Sequence, residues 1–271
     1  VRSRRQRQMC IRDRFHNIYH DKDLYDSTKA YYDAFKSCTT LMRENNTSIT
    51  NQPLFQWEGH GSNNWIYEQM NIEHLLSKAC SDRAERQDDL KQKRLYYKEA
   101  VKYSLWSLKS LQQCDWEDAS LCYLPIFQDR YHLKHLCMYA AYYYKTVNEY
   151  SERERNTSSQ MSSKLAYHFM DAASNVWTHD QKLSTELHEL KALYALAIAN
   201  KLEDDMCGEK VALLKGFAEL KVTPEVVQSE YKRLKQQNDQ VYFGKEQTDL
   251  TITPSSLEDL FQSLPDISEE L

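Results

Sequence analysis

The sequence predicts an all-α protein, because turn-forming residues are scarce and apolar residues recur at helical spacing. Only five glycines and five prolines occur among 271 residues, few for a fold with many strands and turns. Hydrophobic residues make up 41% of the chain, which favours a packed core over disorder. The longest periodic stretch, Leu121 to Lys145, has an apolar face that widens until it is nearly continuous. We therefore expect this helix to be contacted from more than one side and to form the spine of the fold.

Apolar residues three and four positions apart predict the other helices in chain order. The predicted helices span residues 21–43, 65–86, 88–113, 116–150, 164–177, 181–205, 209–220 and 223–238. Residues 54–57 are too few for a helix and are predicted to be extended, and the serine-rich stretch 151–163 predicts a loop. The pairs between 164 and 220 resemble tetratricopeptide-type hairpins, with small residues where the helices cross.

The two ends of the chain differ from the rest in charge. Residues 1–14 carry six of the 35 basic residues and one of the 40 acidic residues. A basic arm for nucleic acid is one interpretation. We favour a non-native leader, because the string resembles translated sequencing-adapter sequence, and we expect the true N-terminus to be missing. Residues 240–271 have no sustained period. We expect them to lie on the helices at first and to form an acidic, flexible tail over 251–271.

Composition argues against several classes of function. Seven cysteines are odd in number, scattered and never in a CxxC pair, which favours reduced thiols in a cytoplasmic protein. Neither a signal peptide nor an apolar run long enough to span a membrane is visible in the sequence. The net charge of −5 disfavours nucleic-acid binding. We find no phosphate-binding glycine loop or nucleophile motif, so we expect neither a cofactor nor catalysis.

One pair of residues could nevertheless bind a metal. His132 and His135 are one helical turn apart, with Cys137 close by. No third ligand is suitably spaced, so we expect helix packing and no metal. A metal-dependent enzyme remains a third, less favoured class of function.

Several blocks in a fixed order are similar to the Bro-one domain of the Alix type, a family of endosomal adaptors. The blocks are Tyr31-Tyr32-Asp33, Phe55-Gln56-Trp57, Tyr67 to Ser77, Leu121 to Leu133, Lys164-Leu165-Ala166 and Asn238 to Tyr242. The resemblance covers about residues 24 to 250. It implies a boomerang-shaped helical domain over 15–250 with a tetratricopeptide-like core, without the family's N-terminal strands.

The resemblance also implies a function. Relatives are non-enzymatic adaptors that bind the C-terminal helix of a filament-forming ESCRT-III subunit in a hydrophobic groove, a helix-in-groove mode. The expected protein is a cytoplasmic monomer, recruited to endosomes through its partners for multivesicular-body sorting and membrane remodelling. The alternative is a generic tetratricopeptide-like scaffold that binds another peptide or signalling partner.

Four positions match the family's groove residues. The groove phenylalanine falls on Tyr131, two apolar residues one turn apart fall on Met161 and Leu165, and a basic residue falls on Lys91. Tyr131 and Met161 depart from the usual Phe and Ile but keep an apolar surface. Tyr242 matches a kinase-docking or phosphorylation tyrosine of animal relatives. The residues after Tyr242 depart from the family pattern, so that role is not carried over.

Overall fold

The computed structural model describes residues 24–44, 55–57, 60–62, 65–113, 123–153, 159–177, 180–218, 220 and 222–267. The all-α prediction is confirmed, and the expected leader over 1–14 lies outside these residues. The helices are α1 (Leu24–Glu44), α2 (Trp65–Glu85), α3 (Leu90–Gln112), α4 (Tyr123–Arg153), α5 (Ser159–Val176), α6 (Gln181–Ala199), α7 (Cys207–Ala218), α8 (Glu225–Gln237) and α9 (Leu257–Gln262). Two three-residue strands, β1 (Phe55–Trp57) and β2 (His60–Ser62), form an antiparallel pair, which confirms the extended segment.

Aspartates fix the start of two helices. The Asp89 carboxylate accepts hydrogen bonds from the backbone amides of Lys91 and Gln92, at 3.2 and 3.3 Å. Asp180 does the same for α6, through the amides of Lys182 and Leu183. The first amides of a helix have no partner within it, and such a cap contributes about 1 kcal/mol. Each helix therefore begins directly after its aspartate.

Helices α2 to α5 run alternately up and down. The Ser107 hydroxyl of α3 donates to the Met70 carbonyl of α2 at 2.9 Å. Arg94, in the second turn of α3, lies 5.3 Å from the Tyr150 ring near the end of α4. Tyr144 of α4 stacks on Phe169 of α5, with ring centroids 5.9 Å apart. These contacts place the beginning of each helix beside the end of its predecessor.

Helix α6 runs parallel to α4 and is held to it by three polar contacts. Lys134 pairs with Asp180 at 2.9 Å, and Lys145 pairs with Glu189 at 2.8 Å. Between them the Tyr142 hydroxyl donates to Glu186 at 2.7 Å. Because α4 also contacts α3 and α5, the prediction that this helix is contacted from more than one side is confirmed.

A second hydrophobic cluster joins α6, α7 and α8. Here the segment after α8 crosses α7 very closely, because a Cβ on Gly208 would lie only 2.4 Å from the Lys245 carbonyl oxygen. Asn238 fixes this crossing. Its side chain accepts from the Gly244 amide at 2.9 Å and donates to the Gly244 carbonyl at 3.0 Å.

The segment after residue 250 lies on the helices, and the expectation of a flexible tail over 251–271 is wrong as far as Ile267. Leu260, in α9, is 1% exposed and belongs to the main core. The Ser255 amide donates to His168 Nδ1 at 3.2 Å, and the Tyr144 hydroxyl donates to the Ser263 carbonyl. A few apolar residues that fit a groove between helices hold an otherwise polar segment in place.

The structure also begins α5 earlier than the sequence predicted. The serine-rich stretch to residue 163 was expected to be a loop, but the helix begins at Ser159. Two of these serines, Ser162 and Ser163, are buried, and the Ser163 hydroxyl donates to Asn148 at 3.0 Å. Contacts with α4 therefore outweigh the low helix propensity of serine.

Candidate partner-binding surface

Met161 and Leu165 lie on one face at the beginning of α5. They are four residues apart and therefore neighbours on the helix surface. The Met161 side chain is 59% exposed, whereas Leu165 is half-buried against the main core. An exposed methionine beside a partly covered leucine is a small apolar surface that a partner can cover.

Lys91 lies at the same end of the helical array. It is exposed in the first turn of α3, three residues before the Arg94 that contacts Tyr150. Ser163 of α5 bonds to Asn148, two residues before Tyr150. The structure thus places Lys91, Met161 and Leu165 around the end of α4.

Tyr131 lies at the other end of α4 and does not join these three residues. Its ring is 6.4 Å from that of Trp177, which follows the last residue of α5. Seventeen residues separate Tyr131 from Asn148, which at 1.5 Å per residue is about 25 Å. One helical turn of a partner therefore cannot contact both Tyr131 and the other three residues, and the assignment of Tyr131 to the groove stays a prediction.

Tyr131 instead belongs to a cluster of rings that we call the histidine cluster, made of His74, Tyr131, His132, His135 and Trp177. The centroid of His74 lies 4.6 Å from that of His132 and 5.1 Å from that of His135. Two rings are oriented by hydrogen bonds. His132 Nδ1 lies 2.7 Å from the Ser107 hydroxyl, and His135 Nδ1 lies 2.8 Å from the Tyr131 carbonyl.

Burial keeps the histidine cluster uncharged at neutral pH. Desolvation, together with the neighbouring His135, lowers the pKa of His132 to about 4. The pKa of His74 is also well below its usual value, first through burial and then through the other two histidines. Its Nδ1 is buried without a hydrogen-bond partner in the described part of the chain. A buried imidazole in such surroundings is more stable neutral than charged.

The residues that the structure describes contain no group of three or more side chains arranged to hold a metal ion. His132 and His135, the pair considered from the sequence, gain His74 as a neighbour, but the three pack as rings. Thiol chemistry is also disfavoured at Cys137, because burial raises its pKa to about 12 and the thiolate is the reactive form.

Sequence reasoning missed His74 and Trp177 as neighbours of Tyr131. The available signal was the order of antiparallel helices. In an antiparallel pair, residues equally far from the connecting loop lie opposite each other. Tyr131, near the start of α4, is therefore expected to lie beside the end of α5. His74 comes from α2 and carried no comparable signal, because it lies more than 50 residues earlier in the chain.

Comparisons with protein-family models, curated proteins and solved structures found no match for this chain. Within the described ranges, no helix is both long enough and apolar enough to span a membrane.

Proposed function

We propose that this chain is a non-enzymatic adaptor that binds the C-terminal helix of an ESCRT-III subunit and is recruited to endosomes through it. The proposal is supported by the ordered blocks from Tyr31 to Tyr242, which resemble the Alix-type adaptor family. The single structural observation behind it is the exposed Met161 beside Leu165 at one end of the array.

The binding surface is smaller than the resemblance implies. It comprises Met161, Leu165 and Lys91, without Tyr131. An amphipathic helix can lay its apolar face on Met161 and Leu165, as in helix-in-groove recognition. Lys91 is exposed in the first turn of α3 and would complement a carboxylate on the polar face of such a helix.

A titration with a fluorescent peptide of the ESCRT-III C-terminal helix, followed by anisotropy, tests the proposal. Met161→Asp places a charge in the apolar contact and is expected to weaken binding about 30-fold, the equivalent of about 2 kcal/mol for a central contact. Met161 is a better position for this test than Leu165, because its side chain is exposed and its replacement should not disturb folding. Val226→Asp is the matched control, since Val226 is 55% exposed on the distant α8 and should not affect binding.

Tyr131→Ser distinguishes the two versions of the groove. The structure predicts unchanged affinity, because Tyr131 lies about 25 Å from the surface. If Tyr131→Ser lowered the affinity for the peptide as much as Met161→Asp does, Tyr131 would belong to the binding surface and our smaller surface would be refuted. No binding by the unaltered chain would refute the adaptor proposal and leave the tetratricopeptide-like scaffold for another peptide as the remaining hypothesis.

A further inference from the structure

A second candidate site, which we call the acidic cleft, lies between α3, α4 and α6. It is a cavity of about 200 Å³. Its side walls carry Lys93 and Tyr97 from α3, Tyr142, Lys145, Thr146 and Glu149 from α4, and Glu186, Glu189 and Leu190 from α6. Glu85, the last residue of α2, and Met170 of α5 complete the lining. Its lining shares no residue with the histidine cluster or with Lys91, Met161 and Leu165.

The acidic cleft has an excess of negative charge. Four carboxylates and two ammonium groups line it, a formal charge of −2. Glu189 is paired with Lys145, and Glu186 accepts the hydrogen bond of the Tyr142 hydroxyl. Glu85 and Glu149 form no ion pair or hydrogen bond with any other residue that the structure describes, and the same holds for Lys93. Two carboxylates are thus left to accept hydrogen bonds from a ligand.

Tyr97 provides an independent sign that a ligand belongs here. Its side chain is only 5% exposed, yet it lines the cavity. Within the described residues its hydroxyl makes no hydrogen bond, and its ring packs against Tyr142 with centroids 5.6 Å apart. Burial raises the pKa of Tyr97, and the carboxylates of Glu85 and Glu149 raise it further. Because Tyr97 lines the cavity, a donor or acceptor from a ligand can reach its hydroxyl there.

We propose that the acidic cleft binds an arginine side chain of a protein partner. The volume fits this ligand, because 200 Å³ equals about seven water molecules of about 30 Å³ each. It is below the roughly 300 Å³ at which pockets for small organic ligands begin. The guanidinium group has five donors in a planar fork and can serve several acceptors at once, and Glu85, Glu149 and Tyr97 line the same cavity. It also stacks on aromatic faces, and the partly exposed Tyr142 belongs to the lining of the cavity.

Isothermal titration of the folded chain with acetyl-tetra-arginine amide tests this site. The tetra-citrulline peptide is the matched probe, because citrulline keeps the shape of arginine without its charge. We expect tetra-arginine to bind at least tenfold more tightly. Glu149→Gln should weaken tetra-arginine binding about tenfold, since it removes a charge-assisted hydrogen bond. Tyr97→Phe should weaken it about threefold.

Two controls separate the cleft from general attraction and from the proposed adaptor surface. Glu203→Gln removes an equal charge from an exposed position before α7 and should change affinity less than twofold. Met161→Asp should leave tetra-arginine binding unchanged. Equal affinity for the two peptides, or equal losses from Glu149→Gln and Glu203→Gln, would overturn the proposal. The ESCRT-III titration can fail or succeed independently of both results.

Discussion

Replacing Leu260 by alanine tests whether the segment after residue 250 stabilises the whole fold. Leu260 is 1% exposed and packs in the same core as α4 and α5. Truncating a fully buried leucine removes apolar burial and leaves a cavity, which costs about 3 kcal/mol. For a chain of this size, 1 kcal/mol shifts the melting temperature by about 2 to 4 °C. We therefore expect Leu260→Ala to lower the melting temperature by about 6 to 12 °C.

The assay is urea denaturation followed by circular dichroism, with thermal melting as a second measurement. Leu257→Ala is the matched control, since Leu257 is in the same short helix but 37% exposed. The control removes the same atoms from a partly hydrated site, so its effect should stay below about 1 kcal/mol.

The comparison of Leu260→Ala with Leu257→Ala shows whether the segment after residue 250 stabilises the fold. If both lower the free energy of unfolding by less than about 0.5 kcal/mol, the segment does not contribute to the cooperative unit. The packing of Leu260 against the core would then be refuted. A large effect of Leu257→Ala alone would mean that the helix is rotated about its axis relative to our description.

Two further predictions concern the interior. The ordinary pKa of histidine is 6.5, whereas that of His132 in the folded chain is about 4. Between pH 6.5 and pH 4, His132 is protonated only in the unfolded chain, so the free energy of unfolding falls as the pH falls. From pH 7 to pH 5 this amounts to about 2 kcal/mol. In urea denaturation at pH 7 and pH 5, His132→Gln should show a smaller change in the free energy of unfolding than the unaltered chain. An equal change in both proteins would mean that His132 does not cause the pH dependence. Gly208→Ala should destabilise the fold by more than 1 kcal/mol, because its Cβ would meet the backbone of Gly244 and Lys245. Gly216→Ala in the same helix has open space around it and should stabilise by up to about 1 kcal/mol, as measured by thermal melting.

The helices could be predicted from the sequence because their signals are local. Apolar periodicity identified α1 to α8, and Asp89 and Asp180 mark the first turns by their own side chains. The start of α5 could not be predicted, since it depends on Asn148 of another helix. The segment with α9 was missed for a similar reason. Six helical residues between prolines give no period, and only the groove they occupy orders them.

The candidate site was predicted less well than the fold. The structure places Met161, Leu165 and Lys91 toward one end of the array and Tyr131 toward the other, and the role of all four in binding stays a prediction. Matching residues to a family motif orders them along the chain but does not give the register between antiparallel helices. The acidic cleft had no sequence signal at all, because its carboxylates come from α2, α4 and α6 and are separated by long intervals.

The contacts of the segment after residue 250 also affect the order in which the chain folds. The bond between Ser255 and His168 spans 87 residues, and that between Tyr144 and Ser263 spans 119. The hairpins of α2 to α5 involve shorter separations and should form first, since closing a longer loop costs more entropy. At about 5 to 20 residues per second, synthesis of those 119 residues takes about 6 to 24 s. Once α5 is made, the groove that receives Leu260 stays uncovered until residues 255–263 follow, and its apolar surface is exposed in the nascent chain during that time.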